Sequence, residues 1–244
     1  RRGGGPFAAH PAMDQIDRRH DIEAPNGKPL RWDQMIALFI DWTGRTIEQR
    51  LAERVASSLA VGHPAGGKFV VEQNVMFAAV SASRAWRPAR TANGEVIIFT
   101  GSIDNKDIIP SAAAQYSLDN AALYAAAYER WGDGVDTKLI GKYSAIIFSR
   151  KDALVRAVRS PILASPLHYF QDGETLVISS TPRAIFATDR VHPEVDDQKI
   201  ADALLLNYNE GRRSWYRGIS RVETGTALRA RPDGHAVDKY YSLD

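Results

Sequence analysis

The chain has 244 residues, of which 44% are hydrophobic and 25% charged, a composition typical of a globular protein with one substantial core. Its 31 basic and 29 acidic residues are spread along the whole length and leave a net charge of +2, which argues against nucleic acid as a partner. No apolar run approaches the ~20 residues of a membrane-spanning helix, and no signal-peptide core is present, so we expect no membrane association. The lack of cysteine excludes disulfides and thiolate metal sites, and is typical of a cytoplasmic protein.

Residues 1–34 differ in composition from the rest of the chain. They are rich in Gly, Pro and charges of both signs and lack the apolar periodicity of a packed element. We therefore expect a flexible extension over 1–34 and a folded domain over 35–244. The sequence does not decide whether the extension is native, and docking of Phe7 or Trp32 on the domain is an alternative to ordinary flexibility.

Short β-branched and aromatic runs, bounded by Gly, Pro or polar residues, predict strands in two groups. The first group covers residues 36–41, 68–71, 74–81 and 95–100. The second covers residues 144–148, 153–158, 167–170, 175–179, 227–230 and 236–241. Asp172-Gly173 and Asp233-Gly234 are typical of tight turns, so we expect the last four strands to form two hairpins.

Four helices are predicted between these strands. Thr46 and Gln49 have the spacing of a capping box, and an apolar stripe at four-residue spacing follows: Ile47, Leu51, Val55 and Leu59. Asp119 can cap a second helix that ends at Gly132. Proline at 182 begins a third, and residues 197–206 form a fourth. Two antiparallel sheets with helices outside them account for this distribution, which is an α+β arrangement.

Three sequence blocks carry a family resemblance. They are MIALFIDWTG at 35–44, EVIIFTGSIDN at 95–105 and AAYERWGDGV at 126–135. These blocks resemble the glutaminase-like amino-terminal domain of asparagine synthetases, a class II glutamine amidotransferase, and further blocks in the family's order extend the resemblance from residue 35 to 244. The resemblance implies a four-layer αββα sandwich of two antiparallel sheets, similar to the N-terminal-nucleophile hydrolases.

The nucleophile of that family has no counterpart here. The family's first strand begins Met-Cys-Gly-Ile, and processing exposes the cysteine, whose thiol attacks glutamine while its own amine acts as the base. This chain has Met35-Ile36-Ala37-Leu38 instead. Ile36 supplies neither a nucleophilic atom nor, with 35 residues before it, a free amine. The resemblance therefore implies no catalytic residue at this degenerate position.

The residues of the glutamine pocket differ as well. The family's Asn-Gly pair, which forms an oxyanion hole, is Thr100-Gly101 here, and the acidic residue that binds the substrate ammonium is Ser102. The family also has an Arg-Arg pair, one arginine of which binds the substrate carboxylate, and this chain has Ala-Val-Ser at about 79–81 instead. Asp119 either matches the family's second acidic contact or is a plain helix cap. Six histidines without metal-ligand spacing predict no metal site.

A glutaminase-like domain without glutamine chemistry suggests a ligase that uses another amine. The resemblance points to lasso-peptide macrolactam synthetases, in which this domain is a scaffold beside an ATP-dependent synthetase domain. We expect no cofactor in this chain, with ATP and Mg²⁺ bound by a synthetase domain after residue 244, and a precursor peptide with its leader-processing proteins as possible partners. The alternatives are the amino-terminal domain of a glutamine-hydrolysing asparagine synthetase and a freestanding binding or regulatory module.

Overall fold

The computed structural model describes residues 35–109, 119–207 and 211–242, and the predicted extension over 1–34 lies outside these ranges. The described strands form two six-stranded sheets. The first sheet contains β1 (Ile36–Asp41), β2 (Gly67–Glu72), β3 (Val75–Val80), β8 (Leu167–Gln171), β9 (Thr175–Ser179) and β10 (Ser220–Val222). The second contains β4 (Ala89–Arg90), β5 (Val96–Ile103), β6 (Gly141–Ser149), β7 (Leu154–Arg159), β11 (Thr226–Arg231) and β12 (Gly234–Lys239).

Every pairing between named strands in the two sheets is antiparallel. The first sheet has the order β10-β8-β9-β1-β3-β2, and the second the order β12-β11-β7-β6-β5-β4. The two Asp-Gly turns join β8 to β9 and β11 to β12, as predicted. At Asp172, the side-chain Oδ1 accepts hydrogen bonds from the backbone N–H groups of Glu174 and Thr175, which fixes the first turn.

The helices within the described ranges are α1 (Gln49–Leu59), α2 (Asn120–Trp131), α3 (Pro182–Phe186) and α4 (Asp197–Leu204), with 3₁₀ turns at Lys106–Ile108 and Gly132–Thr137. Helices α1 and α3 pack on the outer face of the first sheet, where Val55, Leu59 and Ile185 join one apolar cluster. Helix α2 packs on the outer face of the second sheet through Leu123 and Ala127. The order of the layers is therefore helix, sheet, sheet, helix.

The central core lies between the sheets, and β1 shows how the sequence builds it. Ile36, Leu38 and Ile40 belong to the central cluster, while Ala37 and Phe39 belong to the outer cluster under α1. Side chains of a strand alternate between the two faces, so a strand in a covered sheet is apolar at every position. The fold confirms the predicted α+β, four-layer αββα sandwich.

The predicted start of α1 is wrong. Helix α1 begins at Gln49, its N-cap is Glu48, and no side chain caps it. The Gln49 side chain donates to Glu53 instead, so the capping box does not form. Ile47 lies before the helix, where its N–H donates to the carbonyl of Gln73 and its side chain is buried in the outer cluster. A tertiary contact therefore sets the entry to α1.

The other predicted helix ends agree more closely with those of the structure. The Asp119 carboxylate accepts a hydrogen bond from the backbone N–H of Ala121 at 3.0 Å and caps α2, and Gly132 ends this helix with a φ of 53°. Pro182 is the first residue of α3. Helix α4 starts as predicted but ends at Leu204 rather than 206, because Leu206 has a left-handed φ of 55°.

A charge pair that the sequence did not predict is buried between α2 and the second sheet. The guanidinium of Arg156, on β7, lies 2.5 Å from the carboxylate of Asp136, and both side chains are almost fully buried. The hydroxyls of Tyr124 and Tyr143 each donate to Asp136 Oδ1 at 2.9 Å. Burial raises the pKa of both tyrosines, and Asp136 raises it further. Burial alone would lower the pKa of Arg156, but Tyr124 and Asp136 raise it above its ordinary value.

Removing the negative charge of this pair will destabilise the fold. Asp136→Asn keeps an oxygen for the two tyrosines but leaves Arg156 without its buried counter-charge, and we expect a loss of about 3–5 kcal/mol. Urea denaturation measures it. Asp197→Asn is the matched control, since Asp197 pairs with Arg217 at 2.8 Å while 81% exposed, and should cost less than about 1 kcal/mol. Equal losses for both variants would contradict a structural role for the buried pair.

Candidate functional site

Ile36 lies at the start of β1, between β3 and β9. Its N–H donates to the hydroxyl of Ser180 at 3.1 Å, and its carbonyl accepts from the Ser180 N–H at 2.9 Å. The carbonyl of Met35 accepts from the Val80 N–H at 2.8 Å, so the chain is held in the sheet on both sides of Ile36. The Ile36 side chain is fully buried in the central core. This position therefore presents an amide nitrogen that is already bonded and an aliphatic side chain without a reactive atom.

Thr100 lies on β5 and is also buried. Its strand neighbours Val96 and Ile98 belong to the central core, and the alternation along β5 turns Thr100 toward the same side. Only 1% of Thr100 is exposed, and its hydroxyl has no hydrogen-bond partner among the described residues. A buried hydroxyl without a partner costs free energy, so Thr100 is not explained by stability alone.

Gly101 is required by the backbone around it. Its φ is 108°, which L side chains rarely adopt, and a Cβ at this position would overlap the carbonyl oxygen of Lys142 on β6. The Gly101 carbonyl accepts from the side-chain amide of Asn120 at 3.0 Å. This bond ties the beginning of α2 to β5, and the close approach of β5 to β6 accounts for glycine without any reference to catalysis.

Ser102 and Asp119 complete the set of predicted pocket residues. Ser102 is partly exposed, and its hydroxyl donates to Asp104 at 3.4 Å. Asp119 is the cap of α2 and also lines a cavity of about 400 Å³. The cap interpretation of Asp119 is thus correct, and the residue faces a space that could receive a ligand as well.

The cavity lies between the loop after β3, the strand β5 and the start of α2. Its lining includes Ser81, Trp86 and Arg87 from the loop, Ile98 from β5, and Asp119. Acidic, basic and aromatic groups therefore meet around one space of ligand size. Of the predicted site, the structure brings Asp119 and the 79–81 stretch together here, whereas Ile36, Thr100, Gly101 and Ser102 are not among the described lining residues.

His168 is a buried residue next to the Ile36 position that the sequence did not single out. It lies on β8, pairs with Ser179 on β9, and is 9% exposed. Burial and then the charge of Arg221 lower the pKa of His168 to about 4, while the backbone of Ser179 and Ser180 acts in the opposite direction. The ring is therefore neutral at pH 7. In the sequence, only the run of hydroxyl residues at the end of β9, Ser179-Ser180-Thr181, indicates that polar groups surround His168.

Within the described ranges, no three His, Asp or Glu side chains gather in a way that could hold a metal ion. In the same part of the chain, no helix is long and apolar enough to cross a membrane.

Comparison with known proteins identifies the family. The sequence pattern of the glutamine amidotransferase domain matches residues 74–241, which is more than half of the chain. This chain belongs to the glutamine amidotransferase domain family. The matched range begins after β1, so the strand that carries Ile36 lies outside it.

Relatives of this amidotransferase domain are longer proteins. Asparagine synthetase [glutamine-hydrolyzing] 1 of Bacillus subtilis (strain 168) is 21% identical over 150 residues, which cover 59% of this chain and 24% of that protein. The chain thus spans about a quarter of the curated relative it matches.

Two solved structures share the fold. Glutamine phosphoribosylpyrophosphate amidotransferase from B. subtilis, complexed with ADP and GMP, has a TM-score of 0.59 at 14% identity, over 86% of this chain and 50% of that one. A structure described as the allosteric regulatory enzyme of purine biosynthesis has a TM-score of 0.58 at 14% identity, over 86% of this chain and 49% of that one. At this identity the similarity supports the two-sheet sandwich alone.

Gly101→Ala tests the close approach of β5 to β6. The added methyl group meets both the strained φ and the Lys142 carbonyl, so we expect the free energy of unfolding to fall by roughly 3 kcal/mol. Gly94→Ala is the matched control, because Gly94 has a φ of 92° but open space around it, and should lose only roughly 1 kcal/mol. Both losses are measured by denaturant titration. The close contact is unimportant if the two variants are equally stable.

His168 makes the amidotransferase domain sensitive to acid. The unfolded chain protonates this ring near its ordinary pKa of 6.5, whereas the folded chain resists protonation down to about 4. The contribution of the neutral His168 ring to the free energy of unfolding is therefore fully present above pH 6.5. It is lost as the pH falls toward 4, by about 3 kcal/mol in total. His168→Gln removes this loss, so unfolding measured at pH 7 and pH 4 should show a smaller change in the variant. Identical pH dependence would show that the ring is not held neutral.

Proposed function

We propose that this chain is a non-catalytic, glutaminase-like part of an asparagine-synthetase-like amide ligase that uses ATP. Membership of the glutamine amidotransferase domain family and the similarity to an asparagine synthetase support this class of protein. The observation that carries the proposal is Ile36. It occupies the position where the family resemblance expects a nucleophile, and it is an aliphatic residue buried in the core.

The surroundings of Ile36 support the same interpretation. Hydrolysis of an amide needs a nucleophile, a nearby base and donors for the developing oxyanion. Ile36 lacks the nucleophile, and its own nitrogen is in a peptide bond that donates to Ser180. Thr100 has no amide group to offer as a donor, and Ser102 carries no charge for a substrate ammonium. Several independent changes thus act against glutamine hydrolysis, which is what a domain retained for its shape would accumulate.

Without ammonia from glutamine, a different amine accepts the acyl group in the proposed reaction. In the proposed reaction, which is that of a lasso-peptide macrolactam synthetase, the ligase adenylates an Asp or Glu side chain of a peptide with ATP and releases pyrophosphate. The amino terminus of the same peptide attacks the acyl-adenylate, the new amide bond closes a ring, and AMP leaves. ATP and Mg²⁺ would bind in a synthetase domain outside this chain, and the chain would support that domain in the cytoplasm, where a precursor peptide and its leader-processing proteins are possible partners.

The similarity to the glutamine-hydrolyzing asparagine synthetase of B. subtilis favours one competing function. If this chain belonged to a glutamine-hydrolysing asparagine synthetase, ammonia would come from glutamine despite the change at Ile36. A freestanding binding module is the other alternative, and it would act without any ATP-dependent domain.

A glutaminase assay distinguishes the proposal from the first alternative, a glutamine-hydrolysing asparagine synthetase. We expect the chain to release no glutamate from glutamine above the buffer blank, and Ile36→Cys to remain inactive because its nitrogen stays in a peptide bond. The B. subtilis relative serves as the positive control. Glutamate release by the unmodified chain would overturn the proposal.

ATP–pyrophosphate exchange on the longer polypeptide tests the substrate class. We expect exchange to depend on a peptide that carries an Asp or Glu side chain, and not on free aspartate. Exchange with free aspartate alone would favour an asparagine synthetase, and a reading frame without an ATP-dependent domain would favour the freestanding module.

A further inference from the structure

Three basic side chains lie close together at one end of the two sheets. Arg221 on β10 and His168 on β8 are directly opposite each other in the strand register, so their side chains share one face of the first sheet. Arg159, the last residue of β7, reaches the same end, because its guanidinium donates to the carbonyl oxygens of Val222 and Ala164, each at 3.3 Å. Val222 directly follows Arg221 in β10. We call Arg159, His168 and Arg221 the basic cluster.

His168 and Arg221 lie on the opposite face of the first sheet from Ile36. Leu167 and Val222, their neighbours in the two strands, belong to the central core, as Ile36 does. Because side chains alternate along a strand, His168 and Arg221 turn away from that core. The cavity at the start of α2 has neither residue in its described lining. The basic cluster is therefore separate from the predicted glutamine pocket.

The positive charges of the basic cluster are not balanced within the described part of the chain. Burial and then the charge of Arg221 lower the pKa of Arg159, and burial, Arg221 and Arg159 all lower the pKa of His168. In the described ranges, no carboxylate pairs with any of the three side chains. Glu223, the acidic residue nearest to Arg221 in sequence, lies 4.0 Å from Arg212 instead. Like charges held close together oppose folding, so the cluster is not explained by stability.

Each side chain of the basic cluster also has a buried nitrogen without a hydrogen-bond partner among the described residues. These atoms are Nε of Arg159, Nε of Arg221 and Nδ1 of His168. His168 is only 9% exposed, so water does not freely solvate its ring. A buried donor without an acceptor costs free energy, and such groups in native proteins usually bond to protein, water or an ion. Three of them beside two unpaired positive charges are typical of an anion site.

We infer that the basic cluster binds a phosphate group, either inorganic phosphate or a phosphate monoester. The two arginines carry two positive charges, which match a phosphate dianion better than a singly charged carboxylate. Each guanidinium has donors in a planar fork that suits two oxygens of one phosphate. The neutral ring of His168 presents a further N–H at Nδ1 in one of its tautomers. Binding here does not depend on the proposed function.

NMR of the 244-residue chain tests for binding at the cluster itself. At about pH 8, where a phosphate group carries two negative charges, inorganic phosphate is added at constant ionic strength with sodium chloride as the reference salt. We expect phosphate to shift the Nε–H resonances of Arg159 and Arg221 and the ring resonances of His168. The Nε–H resonance of Arg217 should be the same in both salts. Unchanged resonances of the basic cluster would overturn the inference.

Arg221→Gln separates a binding role from a structural one. In chloride the variant should melt at the same temperature as the unmodified chain or higher, because repulsion between Arg221 and Arg159 is relieved. Phosphate should raise the melting temperature of the unmodified chain, since a ligand that binds the folded state stabilises it. Arg221→Gln should lose most of this gain and bind phosphate at least about tenfold more weakly.

Arg217→Gln is the matched control. It removes the same charge from a side chain that is 52% exposed and pairs with Glu194 and Asp197, outside the basic cluster. It should keep the full gain in phosphate, which shows that overall net charge is not the cause. Glycerol phosphate distinguishes the two sources of the group: tighter binding than inorganic phosphate supports a monoester, and weaker binding supports the free ion.

Each remaining outcome also decides the inference. A gain in phosphate that disappears in Arg221→Gln and survives in Arg217→Gln supports the site. Equal gains in all three proteins overturn it, and so does acetate binding as tight as that of phosphate. Equal destabilisation of Arg221→Gln in both salts, with the gain intact, shows a structural arginine and overturns the inference. If Arg221→Gln does not fold, the resonances of the unmodified chain decide.

Discussion

Face-to-face packing of two covered sheets is the constraint on which the rest of this structure depends. It buries strand β1 on both faces, with its odd and even residues in different apolar clusters. The position of the expected nucleophile lies inside this strand, so any residue there must also satisfy the core. Ile36 does so with a fully buried side chain, and burial of a side chain of this size contributes about 1.5–3 kcal/mol. Stability of the fold and loss of the nucleophile are therefore compatible.

Some residues of the predicted site are explained by packing or hydrogen bonding within the fold, and others are not. Gly101 is kept by the close approach of β5 to β6, and Asp119 by its bond to the first turn of α2. Neither residue is evidence of catalysis by itself. Thr100 differs, because its buried hydroxyl has no partner among the residues that the structure describes. The cavity beside Asp119 is a separate feature, since Ile36 is not among its described lining residues. A pocket alone does not assign an activity, because a fold does not determine its chemistry.

The end of helix α4 exposes large apolar side chains. Its exposed leucines and its strained Leu206 add nothing to the core of the described chain. The chain combines a stable two-sheet sandwich, a position 36 without a nucleophile and an apolar surface at a helix end.

The sequence by itself determined every described strand except β4 and β10, together with the two Asp-Gly hairpins, the cap of α2 at Asp119 and the absence of a thiol at position 36. These features depend on local periodicity or on residue type, which can be read along the chain. Tertiary structure alone decided the pairing of Arg156 with Asp136, the burial of His168 and the start of α1 after Ile47. Each depends on contacts between residues distant in sequence. Hydrophobic periodicity shows that a residue faces the core, but it does not show which neighbour meets it there.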